Sequence, residues 1–565
     1  MNKIIYAIIL LAFISILYGV EAKIITVDDD GNADFKHIQD AIDNANNGDI
    51  IFVYSGIYHE NVKIDKSIKL IGENVNTTII DAEFKGDVVY VYWKNVEIIG
   101  FTICNSGKNS YPDFDCGIDI TCQNVSIKNC KIINNLNGVM IKKENVSINH
   151  SRFEGNKNGV YAISNYNIIT NCIFRENEKG IFMQHNKMNK IKKCSFYYNV
   201  YGLHLESSSF NEVENSYFYH NNHGLFLEWV SNNNSISKCD FIEDISGLKF
   251  SASTDGNIVS LCNIIRNNVG IEFYDTSNNN IVLFCNIKKN GYGVLLHWIF
   301  TSPINRVNFN NISGNIKYGI YAEQCIVDAS NNWWGSADGP SGIGNGNGDA
   351  VNENVLFEPW LTKEAYNTEP WIRIVYPKDG GIFKGLINIS GEAGDENCIA
   401  WVEVGISGKW YRANGKEKWY FIANLEEGGN IILARCFDFI SYSYDTIKVV
   451  IDNTPPKIKI LSPRGNVVKR YLTIRWIAED KTDLKIDIFY FDGKWHKIAS
   501  NEKNDGIYIW DISDLENGKY RLRINATDMA GNVGSNETFF VVNNNVSILW
   551  SIFRKILYFL FQLQK

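Results

Sequence analysis

The chain has 565 residues with a formal net charge of -8, and it contains 12 cysteines, nine histidines and only five methionines. That length calls for roughly two to four domains. Acidic and basic residues are interspersed without a basic stripe, which argues against a nucleic-acid partner.

At the N-terminus, Lys3 precedes an apolar run from Ile4 to Val20, and Val20-Glu21-Ala22 ends in a small residue. The expectation is a secretory signal over residues 1–22, cleaved after Ala22. An uncleaved anchor is the other reading, because the run approaches the length of a span. Either one places the bulk of the chain outside the cytoplasm, as a secreted, extracellular or cell-surface protein.

Residues 34–46 have helical spacing, with Phe35, Ile38, Ala41, Ile42 and Ala45 on one stripe and Asp34 placed to cap the first turn. A short helix there is placed to cover one end of the repeat region beyond it. Ten glycines, each followed by Val, Ile or Leu, recur at Gly117, Gly138, Gly159, Gly180, Gly202, Gly224, Gly247, Gly270, Gly293 and Gly319. The spacing of 21 to 26 residues is too short for a helix pair and fits one coil of a parallel β-helix, whose repeats bury apolar side chains only by stacking. Two further columns keep this register. One is asparagine, from Asn135 to Asn290, with Asp244 as the exception, and it predicts a ladder of amides bonded from coil to coil. The other is Cys130, Ser151, Cys172, Cys194, Ser216, Cys239, Cys262 and Cys285, read as small buried fillers, because side chains about 4.8 Å apart are wider than a disulfide prefers. The fold class is therefore all-β: a parallel β-helix over residues 23–361 with an N-terminal capping helix and coils of about 22 residues, followed by two immunoglobulin-like sandwiches.

The opening run Asp34-Phe35, Ile38-Gln39, Ala41-Ile42, Gly48-Asp49, Gly56-x-Tyr58, Glu60-x-Val62-x-Ile64 and Leu70-Ile71-Gly72-Glu73 resembles that of pectin-lyase-like right-handed β-helix proteins, which include pectinesterases and the NosD-like, carbohydrate-binding and sugar-hydrolysis group. The closing run Asn331-Asn332-Trp333-Trp334-Gly335, Gly339-Pro340 and Pro359-Trp360 is similar to the end of the NosD-like members. The resemblance implies the fold and a carbohydrate connection. Neither the paired aspartates, Gln-Asp motif and arginine of pectinesterases nor the motifs of polygalacturonases stand on the central coils, so an enzymatic activity is left open. For NosD-like members the resemblance implies a copper role, which the absence of any His-rich or Met-rich tract argues against.

Residues two and four after each glycine alternate with inward ones and are expected to face solvent. On this face Glu206 and Glu228 occupy equivalent positions on successive coils, with carboxylates about 5 Å apart, close enough to share a proton or hold a cation, calcium being the cofactor left open. His204 shares the strand of Glu206, Trp229 follows Glu228, and Lys249, Glu272 and His297 continue the face. Glu206, Glu228 and His204 are the catalytic candidates if there is chemistry; Glu206, Glu228, Trp229, Lys249, Glu272 and His297 are the ligand-binding candidates. An ordinary solvated strand face is the plainer reading. His220 and His223 are a weak metal pair without a third ligand at suitable spacing.

After Pro359-Trp360 the rhythm gives way to short alternating strands. Residues 371–452 and 454–543 each read as an immunoglobulin-like module, joined by Asp452-Asn453-Thr454-Pro455-Pro456. The second resembles repeated modules of prokaryotic surface proteins. Cys398 and Cys436 are the only cysteines of the first module, and a bridge between its sheets or two free buried thiols are both open. Residues 546–565 form an apolar tail with a polar stripe, to lie at the membrane surface or pack on the second module. The functional expectation is a β-helix that binds a polysaccharide or envelope glycan without catalysis; a polysaccharide lyase or glycoside hydrolase and a purely structural envelope component are the alternatives.

Overall fold

The computed structural model describes residues 22–109, 114–299, 304–544 and 556. The chain divides into two compact units, Met1–Tyr366 and Asn367–Lys565. The expected signal segment and the tail lie outside the described residues, apart from Ala22 and Ile556. Among the described residues no helix is long and apolar enough to cross a membrane.

The first unit is a parallel β-solenoid. Each coil gives one short strand to each of three sheets, here called first, second and third in chain order, of 15, 12 and 14 strands. One coil runs through Val125–Lys128, Lys131–Ile133 and Asn137–Ile141. The next coil lies on it in register, with Ile127 opposite Ile148, Ile132 opposite Phe153 and Val139 opposite Val160. Like therefore stacks on like. Phe153, Phe174, Phe196, Phe218 and Phe241 form one internal column with ring centroids 4.6 to 5.0 Å apart and planes within 5 to 10° of parallel.

The glycine column answers a close approach. A Cβ on Gly202 would lie 2.5 Å from the Gly224 carbonyl oxygen and 2.9 Å from Cδ1 of Phe218, so the bend into the third sheet has no room for a side chain. The asparagine ladder is present: the backbone N–H groups of Asn135, Asn156, Asn177 and Asn199 each donate to the next side-chain Oδ1 at 3.0 Å. A second ladder, Asn167, Asn189, Asn211, Asn234, Asn257, Asn280 and Asn305, repeats the pattern at 2.8 to 3.0 Å and escaped the sequence reading. The cysteine column is buried and unbridged, and it stands at a corner one residue before the strand rather than in it. Its thiols donate to local carbonyls, as from Cys172 to Thr170 at 3.2 Å, and burial pushes Cys130 up to about 11.

The capping helix is shorter than expected, Ile38–Asn44, with Ile38, Ala41 and Ile42 buried. Asp34 does not cap it. Its carboxylate instead accepts from the backbone and hydroxyl of Thr26 at 2.9 and 2.8 Å. The helix N–H groups of Ile38 and Gln39 donate to Glu60, 2.9 and 3.0 Å away on the following coil. A carboxylate from another coil can approach these donors head-on, which a residue four positions upstream cannot.

The second unit holds two sandwiches. Between Trp371 and Ile451 lie sheets of four and five strands, and between Lys457 and Val542 sheets of three and five, with separate cores around Trp419 and Trp476. Cys398 and Cys436 are free thiols. Cys436 sits opposite Val402 in the sheet that Cys398 leads into, so the two do not face each other across the sandwich, and Cys436 Sγ donates to the Trp371 carbonyl at 3.4 Å.

Candidate functional site

Six consecutive strands of the third sheet, Lys179–Gln184, Tyr201–Glu206, His223–Glu228, Ser246–Phe250, Val269–Tyr274 and Tyr292–His297, bring every predicted ligand-binding residue onto one outer face or its edge. At about 4.8 Å per strand the row is roughly 24 Å long. Glu206 pairs directly with Glu228, and His204 with Phe226. A relay stands behind Glu206: the Tyr161 hydroxyl donates to Gln184 Oε1 at 2.5 Å, and Gln184 Nε2 donates to Glu206 Oε1 at 2.8 Å. His204 Nε2 lies 3.3 Å from Glu228 Oε2. Trp229, 57 % exposed, sits in the turn just beyond Glu228.

His204 departs from the solvent-facing expectation. Its strand position does point outward, yet only 4 % of it is exposed; Asp119 is buried to the same degree. The reason is lateral. Phe182 and Phe226 cover the imidazole from the strands on either side, with centroids 5.0 and 4.9 Å away, and Tyr201 lies at 5.2 Å. Burial, reinforced by the charges of Lys179 and His223, pushes His204 down to about 3, so the ring is neutral, and its Nδ1 has no partner. Burial and then the charge of Glu206 raise Glu228 above the ordinary carboxylate range.

Further along, Lys249 Nζ is 3.2 Å and His297 Nε2 3.0 Å from Glu272. Burial alone would raise Glu272, but His297 and Lys249 together hold it low. Tyr274 packs between His297 and Trp298, the latter 52 % exposed. The face thus has two polar clusters, each flanked by an exposed tryptophan.

His220 and His223 do not act as a pair. His220 is in a left-handed turn with Nε2 3.1 Å from Glu243, whereas His223 begins a strand and stacks on Tyr201. Among the described residues, the groups whose ligand atoms gather within 4.8 Å are His204, Glu206 and Glu228 on the solenoid, and Asp452, Asp480 and Asp528 in the second unit. Sequence reasoning missed Lys179 and Tyr201 in the outward column immediately before the glycines, and read His223 of that column only as a weak metal candidate. The tight bend at each glycine interrupts simple alternation there, although the same period would have found the column.

The family model for the right handed beta helix region matches residues 56–218 and 164–299, and with the three stacked sheets this makes the first unit a right-handed parallel β-helix. No curated protein matches the sequence. Similar solved structures include the periplasmic alginate epimerase AlgG, 12 % identical, covering 56 % of this chain and 74 % of that one at a TM-score of 0.30. The catalytic domain of a GH87 alpha-1,3-glucanase in complex with nigerose is 12 % identical over 55 % of this chain and 64 % of that one, with a TM-score of 0.35. Fibronectin(III)-like modules of Clostridium thermocellum CbhA are 18 % identical over 31 % of this chain and 94 % of theirs, with a TM-score of 0.25.

Proposed function

We propose that the outer face of the third sheet binds an extended, hydroxyl-rich polysaccharide or envelope glycan. The observation that carries this is the row itself: Trp229 and Trp298 expose flat apolar rings beside half-buried Glu206, Glu228, Lys249, Glu272 and His297. Such rings stack on the C–H faces of sugars while the flanking polar groups take the hydroxyls. A repeating polymer suits a repeating face better than a compact ligand does. The test is retention of the purified protein on a panel of neutral and acidic polysaccharides. A Trp229→Ala, Trp298→Ala pair is expected to weaken retention about tenfold or more. Unchanged retention sinks the reading.

A second reading is cleavage of the bound glycan. Glu206 and Glu228 lie side by side, and the raised Glu228 is suited to carry a proton next to a base. New reducing or unsaturated ends in the same assay, lost in a Glu206→Gln, Glu228→Gln pair, are its signature; neither retention nor cleavage leaves the structural envelope role. We also infer that residues 1–22 direct export, that the protein works at the cell surface, and that its tail meets the membrane.

A further inference from the structure

Glu206 and Glu228 differ from Asp119 and Glu272 on the same face in having no lysine ion pair of their own. Asp119 has Lys142 at 2.8 Å, and Glu272 has Lys249 and His297. No lysine or arginine among the described residues forms an ion pair with Glu206 or Glu228, and Glu228 meets only His204 in this way. Lys179, on the strand before, lies over the Phe182 ring at 3.6 Å. Two adjacent carboxylates therefore share a half-buried face with a buried imidazole, closed in by Phe182 and Phe226, and the charges of Lys179 and Lys249 reach Glu228 only from a distance, without a direct ion pair.

The geometry is that of ligands gathered around a point. One imidazole nitrogen and two carboxylate oxygens come within 4.8 Å of one another. The separation of 3.3 Å between His204 Nε2 and Glu228 Oε2 is long for a charge-assisted hydrogen bond, and it matches the edge of a tetrahedron with bonds of about 2.0–2.1 Å. The relay from Tyr161 through Gln184 holds Glu206 by Oε1. Supporting bonds of this kind orient metal-binding carboxylates.

We propose that His204 Nε2, Glu206 and Glu228 form a site for a divalent transition-metal ion of the zinc or manganese kind. One nitrogen and two oxygens are its protein ligands, and the remaining positions open to solvent. The donor set selects the class: an imidazole with two carboxylates suits zinc or manganese, whereas calcium takes six to eight oxygens. The ion neutralises the carboxylate pair. That it also holds sugar hydroxyls beside Trp229 rests on the glycan reading.

The test titrates chelator-stripped full-length protein with zinc chloride and manganese chloride by calorimetry, and with cobalt chloride by visible absorption. One tight equivalent is expected, with cobalt bands of an imidazole–carboxylate site. The equivalent should be weakened beyond the about 10–100-fold that losing a merely supporting group costs, both in Glu206→Gln, Glu228→Gln and in His204→Phe. The first pair keeps side chains of the same size on the half-buried outer face, and the second variant keeps an aromatic ring between Phe182 and Phe226, so both are expected to fold. The equivalent should persist in Asp452→Asn, Asp480→Asn, which disables the other carboxylate cluster. No tight equivalent, or one that survives both solenoid variants, overturns the proposal. Polysaccharide retention measured alongside separates the two readings: metal binding without retention removes the glycan role and leaves the site, and retention without metal binding does the reverse.

Discussion

Asp244 takes the place of an amide in the first asparagine ladder. Its Oδ1 accepts from the backbone and side chain of Asn221 at 2.6 and 3.0 Å, as an asparagine there would. Its Oδ2, buried and without a partner, stands where neighbouring rungs have an NH2 that donates to a carbonyl, as Asn221 does to Phe196 and Asn267 to Phe241. Burial pushes this carboxyl up to about 8, despite the two bonds from Asn221, so near neutrality it stays protonated and mimics the missing amide. Below about pH 4 both folded and unfolded chains hold the proton and ionisation costs nothing. Between there and about 8 only the folded chain holds it, so stability falls as pH rises, by at most about 1.4 kcal/mol per pH unit. Asp244→Asn is expected to flatten this part of the slope, read from denaturant midpoints at pH 5 and 8.5. Equal slopes in both proteins would contradict the assignment. The aspartate was legible in the sequence as a break in a column; its protonation was not, because that depends on complete enclosure between coils.

At the scale of elements, the coil is held by repetition of side chains that each do one thing. Glycine permits the approach, phenylalanine fills, and asparagine satisfies the corner N–H groups. Gly202→Ala places a methyl against the next coil's backbone, which cannot swing away as a side chain could. A loss of about 1–3 kcal/mol is expected, and Gly155→Ala serves as the comparison: Gly155 has φ 64° with nothing within 4 Å of an added Cβ, so its cost is conformational alone. Thermal midpoints of the two variants decide whether crowding or backbone conformation governs the glycine column. The strands themselves were easy to read, since a period that recurs ten times leaves little choice of register. The capping helix was harder. A stripe of apolar residues gives the buried face but not the first turn, and here the first-turn donors are satisfied by Glu60 on another coil.

At the scale of the whole molecule, a solenoid with its own continuous core is followed by two sandwiches with separate cores. A surface role predicts where the protein is found: in fractionated cells it should be protected from cytosolic proteases and recovered with the envelope. Deletion of residues 546–565 is expected to release most of it to the soluble extracellular fraction, and equal envelope association without the tail would rule out anchoring by it. Much of the candidate site came from parity. Once the glycines set the phase, Glu206 and Glu228 had to lie on one face and side by side, as their direct pairing shows.

By itself, then, the sequence determined the solenoid, its phase, its outward positions and the beginning of the sandwich region, because each of these depends on a local period repeated many times. Only the tertiary structure decided which outward residues are exposed and which carboxylates are compensated. His204 is buried by rings supplied from the coils above and below, and Glu272 is paired with Lys249 and His297 from neighbouring strands, while among the described residues no lysine or arginine pairs with Glu206 or Glu228. Burial and charge balance at any one position are set by side chains about 22 residues away in either direction, whose reach and rotamers no period encodes.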